Sequence, residues 1–165
     1  MMRIRPAETR DTQRITALLN QVLEIHAAIR ADIFISGTTK YTPQSLEAVL
    51  ADENRRTYVA EDESGTVLGY VFCMIKEYPQ KHYIVPHREL YIDDLCVDES
   101  ARGQGVGKAL FAHVKEQAAL LGCHNITLNV WEGNDSAKAF YEKLGLSAQS
   151  TKMELIIEEK DNGKE

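Results

Sequence analysis

Apolar residues along this chain keep two rhythms, every second position and every third or fourth, and the changes between them mark its elements. Residues 3–6 alternate as a first edge strand, which Pro6 ends. Thr9 or Asp11 can cap a helix whose inward face carries Ile15, Leu18, Leu19, Val22, Leu23 and Ile25. Residues 30–41 have no period and read as a loop. Thr42-Pro43 opens a short second helix with Leu46, Val49 and Leu50 inward. Residues 56–60 and 67–75 form strands joined through Asp62-Glu63-Ser64-Gly65, a hairpin. Residues 76–88 are a polar, aromatic loop with two prolines and two histidines.

The next stretch, residues 89–121, organises the rest. A mostly apolar run of strand length, Leu90 to Val97, is followed by polar residues and then by Arg102-Gly103-Gln104-Gly105-Val106-Gly107-Lys108. Val106, Leu110, Phe111, Val114, Ala118 and Leu121 then recur at helical spacing. Gly122 ends that helix. Residues 125–131 are another strand, 132–136 a turn and cap, and 137–144 a helix with Phe140 and Leu144 on its buried stripe. Gly145 stops it. Residues 146–158 are a last strand region, with Met153, Leu155 and Ile157 alternating, and 159–165 are expected to be a disordered tail. The order β, α, α, β, β, β, α, β, α, β implies a mixed α/β sheet with helices on both faces.

Composition narrows the chemistry. A chain of 165 residues, 44% hydrophobic and 27% charged, suits one globular domain, expected over residues 1–158. A net charge of −6 argues against a general nucleic-acid binder. Cys73, Cys96 and Cys123 lie in apolar segments without a C-x-x-C pair, which points to reduced thiols and a cytoplasmic protein. No signal peptide or membrane-length apolar run is apparent. His26, His82, His87, His113 and His124 show no metal-ligand spacing, so no metal is expected; His113 falls on the exposed side of its helix. Acceptor-pocket and plain surface roles both stand for His82 and His87.

A strand, a glycine-rich turn and a helix start make a cradle for a diphosphate. The first helical turn has amides without internal partners, the dipole makes that end positive, and glycines let an anion approach. A P-loop is excluded because Gly107-Lys108 is followed by Ala109, and the dinucleotide spacing fails from both Gly103 and Gly105. What fits is Arg-x-x-Gly-x-Gly at Arg102, Gly105 and Gly107, which resembles the pyrophosphate loop of the GNAT acetyltransferase superfamily. The run from Asn134 to Leu146 resembles that family's second hallmark, Asn-x-x-Ala-x-x-Phe-Tyr-x-Lys-x-Gly-Phe, with Leu146 replacing the final aromatic.

The resemblance implies a mixed central sheet of six to seven strands, splayed between the fourth and fifth. Acetyl-CoA would be the co-substrate. Backbone groups of Leu95 and Val97 would hold its pantetheine arm, and amides from Gly103 through Gln104, Gly105, Val106 and Gly107 to Lys108, with Arg102, its pyrophosphate. Asn134 and Ala137 would face the arm from the far side. Tyr141 would protonate the leaving thiolate, and the Val97 amide would polarise the carbonyl.

Acetyl transfer also needs a neutral amine, hence a base or a water chain. Strict alternation puts Tyr91, Asp93, Leu95 and Val97 on one strand face and Ile92, Asp94 and Cys96 on the other. Asp93 would then lie toward the acceptor, as the base. Alternatives stand: a solvated strand-end carboxylate, an ion-pair partner of Arg88, or a binder of the substrate ammonium. Without a suitably placed cysteine, direct attack in a ternary complex is expected. Acceptor choice would come from residues 34–41 and 78–88. The sequence leaves open whether the amine belongs to a small molecule or to a protein N-terminus or lysine. A non-catalytic coenzyme A-binding regulator is the rival from another class. Residues 153–157 and the strand before them would suit a homodimer, which the sequence does not decide.

Overall fold

The computed structural model describes residues 1–158, so the expected tail at 159–165 lies outside the described residues. The described chain forms two compact bodies, Met1–Asn134 and the segment from Asp135 onward, and each is described by itself.

The first body is a five-stranded sheet in the order β1-β2-β3-β4-β5. β1 (Arg3–Pro6), β2 (Arg55–Glu61), β3 (Val67–Tyr78) and β4 (His87–Val97) pair antiparallel, and β5 (Asn125–Leu128) pairs parallel to β4. The parallel pair is joined by a crossover helix, as it must be. β3 and β4 run longer than the sequence pattern predicts, so the connecting loop shrinks to residues 79–86. β5 is shorter and ends at Leu128.

Helices cover both faces, as the pattern implies. α1 (Thr12–Ile29) and α2 (Pro43–Ala51) lie on one, where Ile15, Leu18, Leu19, Leu46 and Val49 pack with Val59, Tyr70, Phe72 and Cys96. Ile25, expected inward, is 36% exposed, and Ala27 is buried in the next turn instead. α2 is capped by Thr42, whose hydroxyl accepts the Ser45 amide at 3.2 Å. α3 (Val106–Leu120) lies on the other face, with Leu110, Phe111 and Val114 buried. His113 is not on an exposed side: its ring meets Tyr58 edge-on at 4.5 Å. The sheet is wide enough to occupy more of α3 than a single stripe.

β1 is anchored by charge. Arg5 donates to both oxygens of Asp11, at 2.7 and 2.9 Å, and to Glu61 at 2.8 Å. All three are buried. Asp11 also accepts the Glu8 amide at 2.8 Å, so the residue expected as a helix cap fastens the turn before α1 to the sheet. Burial alone would raise the Asp11 pKa, but the guanidinium and that amide hold it below the usual carboxylate value.

The second body contains α4 (Asp135–Lys143), followed by Gly145 at φ 97°. Ala137, Phe140, Tyr141 and Leu144 are half-buried, a narrower version of the expected stripe. The strand expected at 146–158 is corrected here. Among the described residues this segment belongs to no ladder, so the sheet has five strands, not six or seven. Alternation reports two-sidedness but does not supply a neighbour.

Gly69 sets how closely α3 approaches the sheet. A Cβ there would stand 2.7 Å from the Cys96 carbonyl oxygen and 3.3 Å from side-chain carbons of Val106 and Leu110. We expect Gly69→Ala to lower stability by roughly 1–3 kcal/mol, the usual cost of overpacking, as read by the urea midpoint.

Candidate active site

The site grows from two irregularities of β4. The first is a bulge. Phe72 pairs with Asp94 and Cys73 with Ile92, so Asp93 has no opposite residue on β3. Neighbouring residues on β3 face opposite ways, so Ile92 and Asp94 do too. This corrects the strict alternation expected from sequence. Asp94 lies on the α1–α2 side, where Tyr70 donates to it at 2.6 Å. Asp93 reaches the same side: it accepts from the Tyr41 hydroxyl at 2.8 Å, and the Tyr41 ring packs edge-on against Phe72 at 5.7 Å.

The second irregularity is a loss of neighbour. β4 and β5 pair from Glu89/Asn125 to Ile92/Leu128. Among the described residues β4 has no strand on that side from Asp93 to Val97. The edge therefore opens at the bulge, with Leu95 and Val97 inside the open stretch. The Val97 carbonyl is met by Arg102 Nε at 3.4 Å.

β4 leads directly into the glycine loop. Asp98 caps a turn of 3-10 helix at Glu99–Ala101, accepting the Ser100 amide at 3.1 Å, and also pairs with Arg14 of α1. Arg14 Nε donates to the Val67 carbonyl at 3.0 Å, so α1, β3 and the loop are clasped together. Gly103 and Gly105 have φ 77° and 80°, a left-handed conformation that side chains disfavour. The Ala109 amide donates to the Gly105 carbonyl at 3.0 Å, closing the first helical turn. The amides of Val106, Gly107 and Lys108 precede it, in the part of a helix without internal partners. Arg102, Gly103, Gln104, Gly105 and Lys108 are exposed. The site is thus an open strand edge running into a helix start, which suits an extended arm ending in a diphosphate.

Asp93 sits at the head of the open edge. Lys40 Nζ pairs with its second oxygen at 2.8 Å, and Arg55 donates to the Tyr41 hydroxyl at 3.1 Å. Burial alone would lower the Lys40 pKa, but the Asp93 carboxylate raises it overall. Arg88, the partner considered from sequence, is instead paired with Glu77 at 2.5 Å. Asp94 is half-buried, and desolvation pushes its pKa up to about 6 despite the Tyr70 hydrogen bond.

Of the two loops expected to choose the acceptor, residues 34–41 reach Asp93 through Lys40 and Tyr41. Phe34 meets Trp131 edge-on at 5.5 Å and His26 at 5.3 Å. In the other loop region Tyr78 stacks on His87 at 4.6 Å, at the far end of β4 from the glycine loop. Sequence reasoning places Lys40 and Tyr41 in an acceptor loop without pairing either with Asp93, and it misses Arg55, which lies beyond that aperiodic segment. Two successive acids in an apolar strand are the one available hint of a bulge. Asn134 ends the first body, while Ala137 and Tyr141 belong to α4. The Phe140 and Tyr141 rings meet at 5.1 Å. Among the described residues no cluster of three or more His, Cys, Asp or Glu could hold a metal. The buried thiols of Cys73 and Cys96 are pushed up to about 12, which suits core residues and not nucleophiles.

Comparison with known proteins agrees with this geometry. The model of the acetyltransferase (GNAT) family matches residues 16–146. Glucosamine 6-phosphate N-acetyltransferase of Trypanosoma brucei brucei is 32% identical over 116 residues, 67% of this chain and 74% of its own length. Thialysine N-epsilon-acetyltransferase of Bos taurus is 28% identical over 136 residues, 82% of this chain and 72% of its own. The crystal structure of a mutant BH1408 protein from Bacillus halodurans superposes with a TM-score of 0.90 at 33% identity, covering 94% of this chain and 99% of that one.

Asp94 offers a test by pH. Its folded pKa of about 6 exceeds the ordinary 3.8, so the group contributes stability below pH ~4 that is lost as pH rises through 6. Asp94→Asn keeps an acceptor for Tyr70 and removes the titration. Relative to wild type, the variant should gain up to about 3 kcal/mol between pH ~4 and ~7, at about 1.4 kcal/mol for each tenfold difference in proton affinity. Urea unfolding at both pH values reads this, and a pH-independent difference would contradict it.

Proposed function

The chain belongs to the GNAT acetyltransferase family and is an acyltransferase, and from that membership we propose that it transfers an acetyl group from acetyl-CoA to the primary amine of a small molecule by direct attack. The observation that carries the proposal is the continuity of the open β4 edge with the glycine-lined start of α3. Leu95 and Val97 would bind the pantetheine arm as a neighbouring strand would. The amides from Gly103 to Lys108 would take the pyrophosphate, with Arg102 and Lys108 adding charge. Asn134 and Ala137 are assigned to the arm by resemblance, as is Tyr141 to protonation of the leaving thiolate. The family model runs through both bodies, which supports treating residues 1–158 as one catalytic domain. Three thiols without disulfides fit a cytoplasmic setting.

Asp93 receives the acceptor in this reading. In the free protein a primary ammonium, that of Lys40, already occupies it, lying 5.7 Å from the Tyr41 ring centre. The acceptor would take the same place, lose its proton to Asp93 or to water, and attack the thioester carbon. The C–S bond then breaks, and coenzyme A leaves as the thiol. Two relatives are named for glucosamine 6-phosphate and for thialysine, which supports a small acceptor.

Free-thiol release from acetyl-CoA, assayed across polyamines, amino acids, aminoglycosides and short peptides, tests the proposal. We expect turnover with at least one small amine and a roughly 10²-fold loss of kcat in Tyr141→Phe, with acetyl-CoA binding kept. Turnover only on peptides would move the acceptor to proteins, and unchanged kcat in the variant would remove Tyr141 as the acid. Lys40→Met should lower KM for the accepted amine about fivefold, the equivalent of a ~1 kcal/mol competing ion pair. A raised KM would show that Lys40 helps bind the acceptor and does not compete with it.

A further inference from the structure

The segment joining α1 to α2 delivers an amine to a fixed place. Glu24 of α1 accepts the Gly37 amide at 2.5 Å and the Ser36 hydroxyl at 2.7 Å, and Asn20 donates to the Thr38 carbonyl at 3.0 Å. The Thr39 hydroxyl donates to the Tyr41 carbonyl at 2.7 Å, and Thr42 caps α2. Lys40 therefore has secured backbone on both sides, and its side chain reaches β4, where Nζ rests on Asp93 at 2.8 Å.

Its neighbours keep the amine there. Tyr41 donates to the other Asp93 oxygen, and Arg55 holds the Tyr41 hydroxyl in turn. Two other lysines of the region are placed differently. Lys76 Nζ stands over the Tyr91 ring, 4.0 Å from its centre, and Lys108 lies in the glycine loop.

A primary amine held on the carboxylate that receives the acceptor is itself an acceptor. The short tether replaces a bimolecular encounter by an intramolecular one, so the acyl donor alone has to arrive. We propose that Lys40 is a self-acetylation site: with acetyl-CoA and no external amine, the protein acetylates its own Lys40 Nζ. This inference rests on the acetyl transfer proposed above.

The step balances. The Lys40 ammonium gives one proton to Asp93 or to water, and Nζ attacks the thioester carbon. The N–C bond forms, the C–S bond breaks, and the second proton lost from nitrogen is matched by the one the thiolate takes up as coenzyme A leaves. The resulting amide carries no charge, so the ion pair is lost and Asp93 is left to an incoming ammonium.

Incubation of the full chain with acetyl-CoA alone should release one thiol per chain, and peptide mass spectrometry should find the acetyl group on Lys40 ahead of every other lysine. The rate constant should not change with protein concentration, and an accepted small amine should protect Lys40. Asp93→Asn should slow the modification roughly 10²-fold, and a chain unfolded in urea should show no preference for Lys40. Turnover of small amines with Lys40 unmodified would overturn the inference and leave the proposed function standing. Acetylation of Lys40 without turnover of any added amine would do the reverse, and no thiol release under either condition would overturn both. Acetyl groups spread evenly over the lysines, a rate constant that rises with protein concentration, or an Asp93→Asn variant modified as fast as wild type would also overturn the inference.

Discussion

The structure depends on β4 having a neighbour on one side throughout and on the other side for only part of its length. β3 follows it from His87 to Val97, whereas β5 leaves after Ile92. Backbone donors and acceptors need partners, so the open stretch is a place where another extended chain can complete the sheet. The bulge at Asp93 falls where β5 departs, so both carboxylates turn to one face at the head of the opening.

The charges there are arranged unequally. Asp93 has both oxygens engaged, by Lys40 and by Tyr41, whereas Asp94 accepts from the Tyr70 hydroxyl and the Leu95 amide in a desolvated setting, with no cation among the described residues paired to it at short range. Environment alone therefore gives adjacent, chemically identical side chains different properties. The segment between α1 and α2 supplies that difference.

Much of this is legible in the sequence. The glycine loop, the helix after it and the central hairpin follow from residue types whose local preferences are strong, such as Gly103 and Gly105 at positive φ. The bulge is not legible, because one extra residue leaves the composition of a strand unchanged while inverting every side chain beyond it. Lys40 is hidden for another reason: an aperiodic loop gives no indication of where its side chains go. The final strand is over-read from its pattern, since alternation at Met153, Leu155 and Ile157 records a two-sided segment without saying what lies beside it.

The clasp of Arg14 on Asp98 and Val67 has a further consequence. The turn leading into α3 is fixed from the opposite side of the sheet by a helix that supplies none of the first-turn amides of α3. The entropy of ordering that turn is met when the chain folds, so under the proposed function a ligand would not have to supply it.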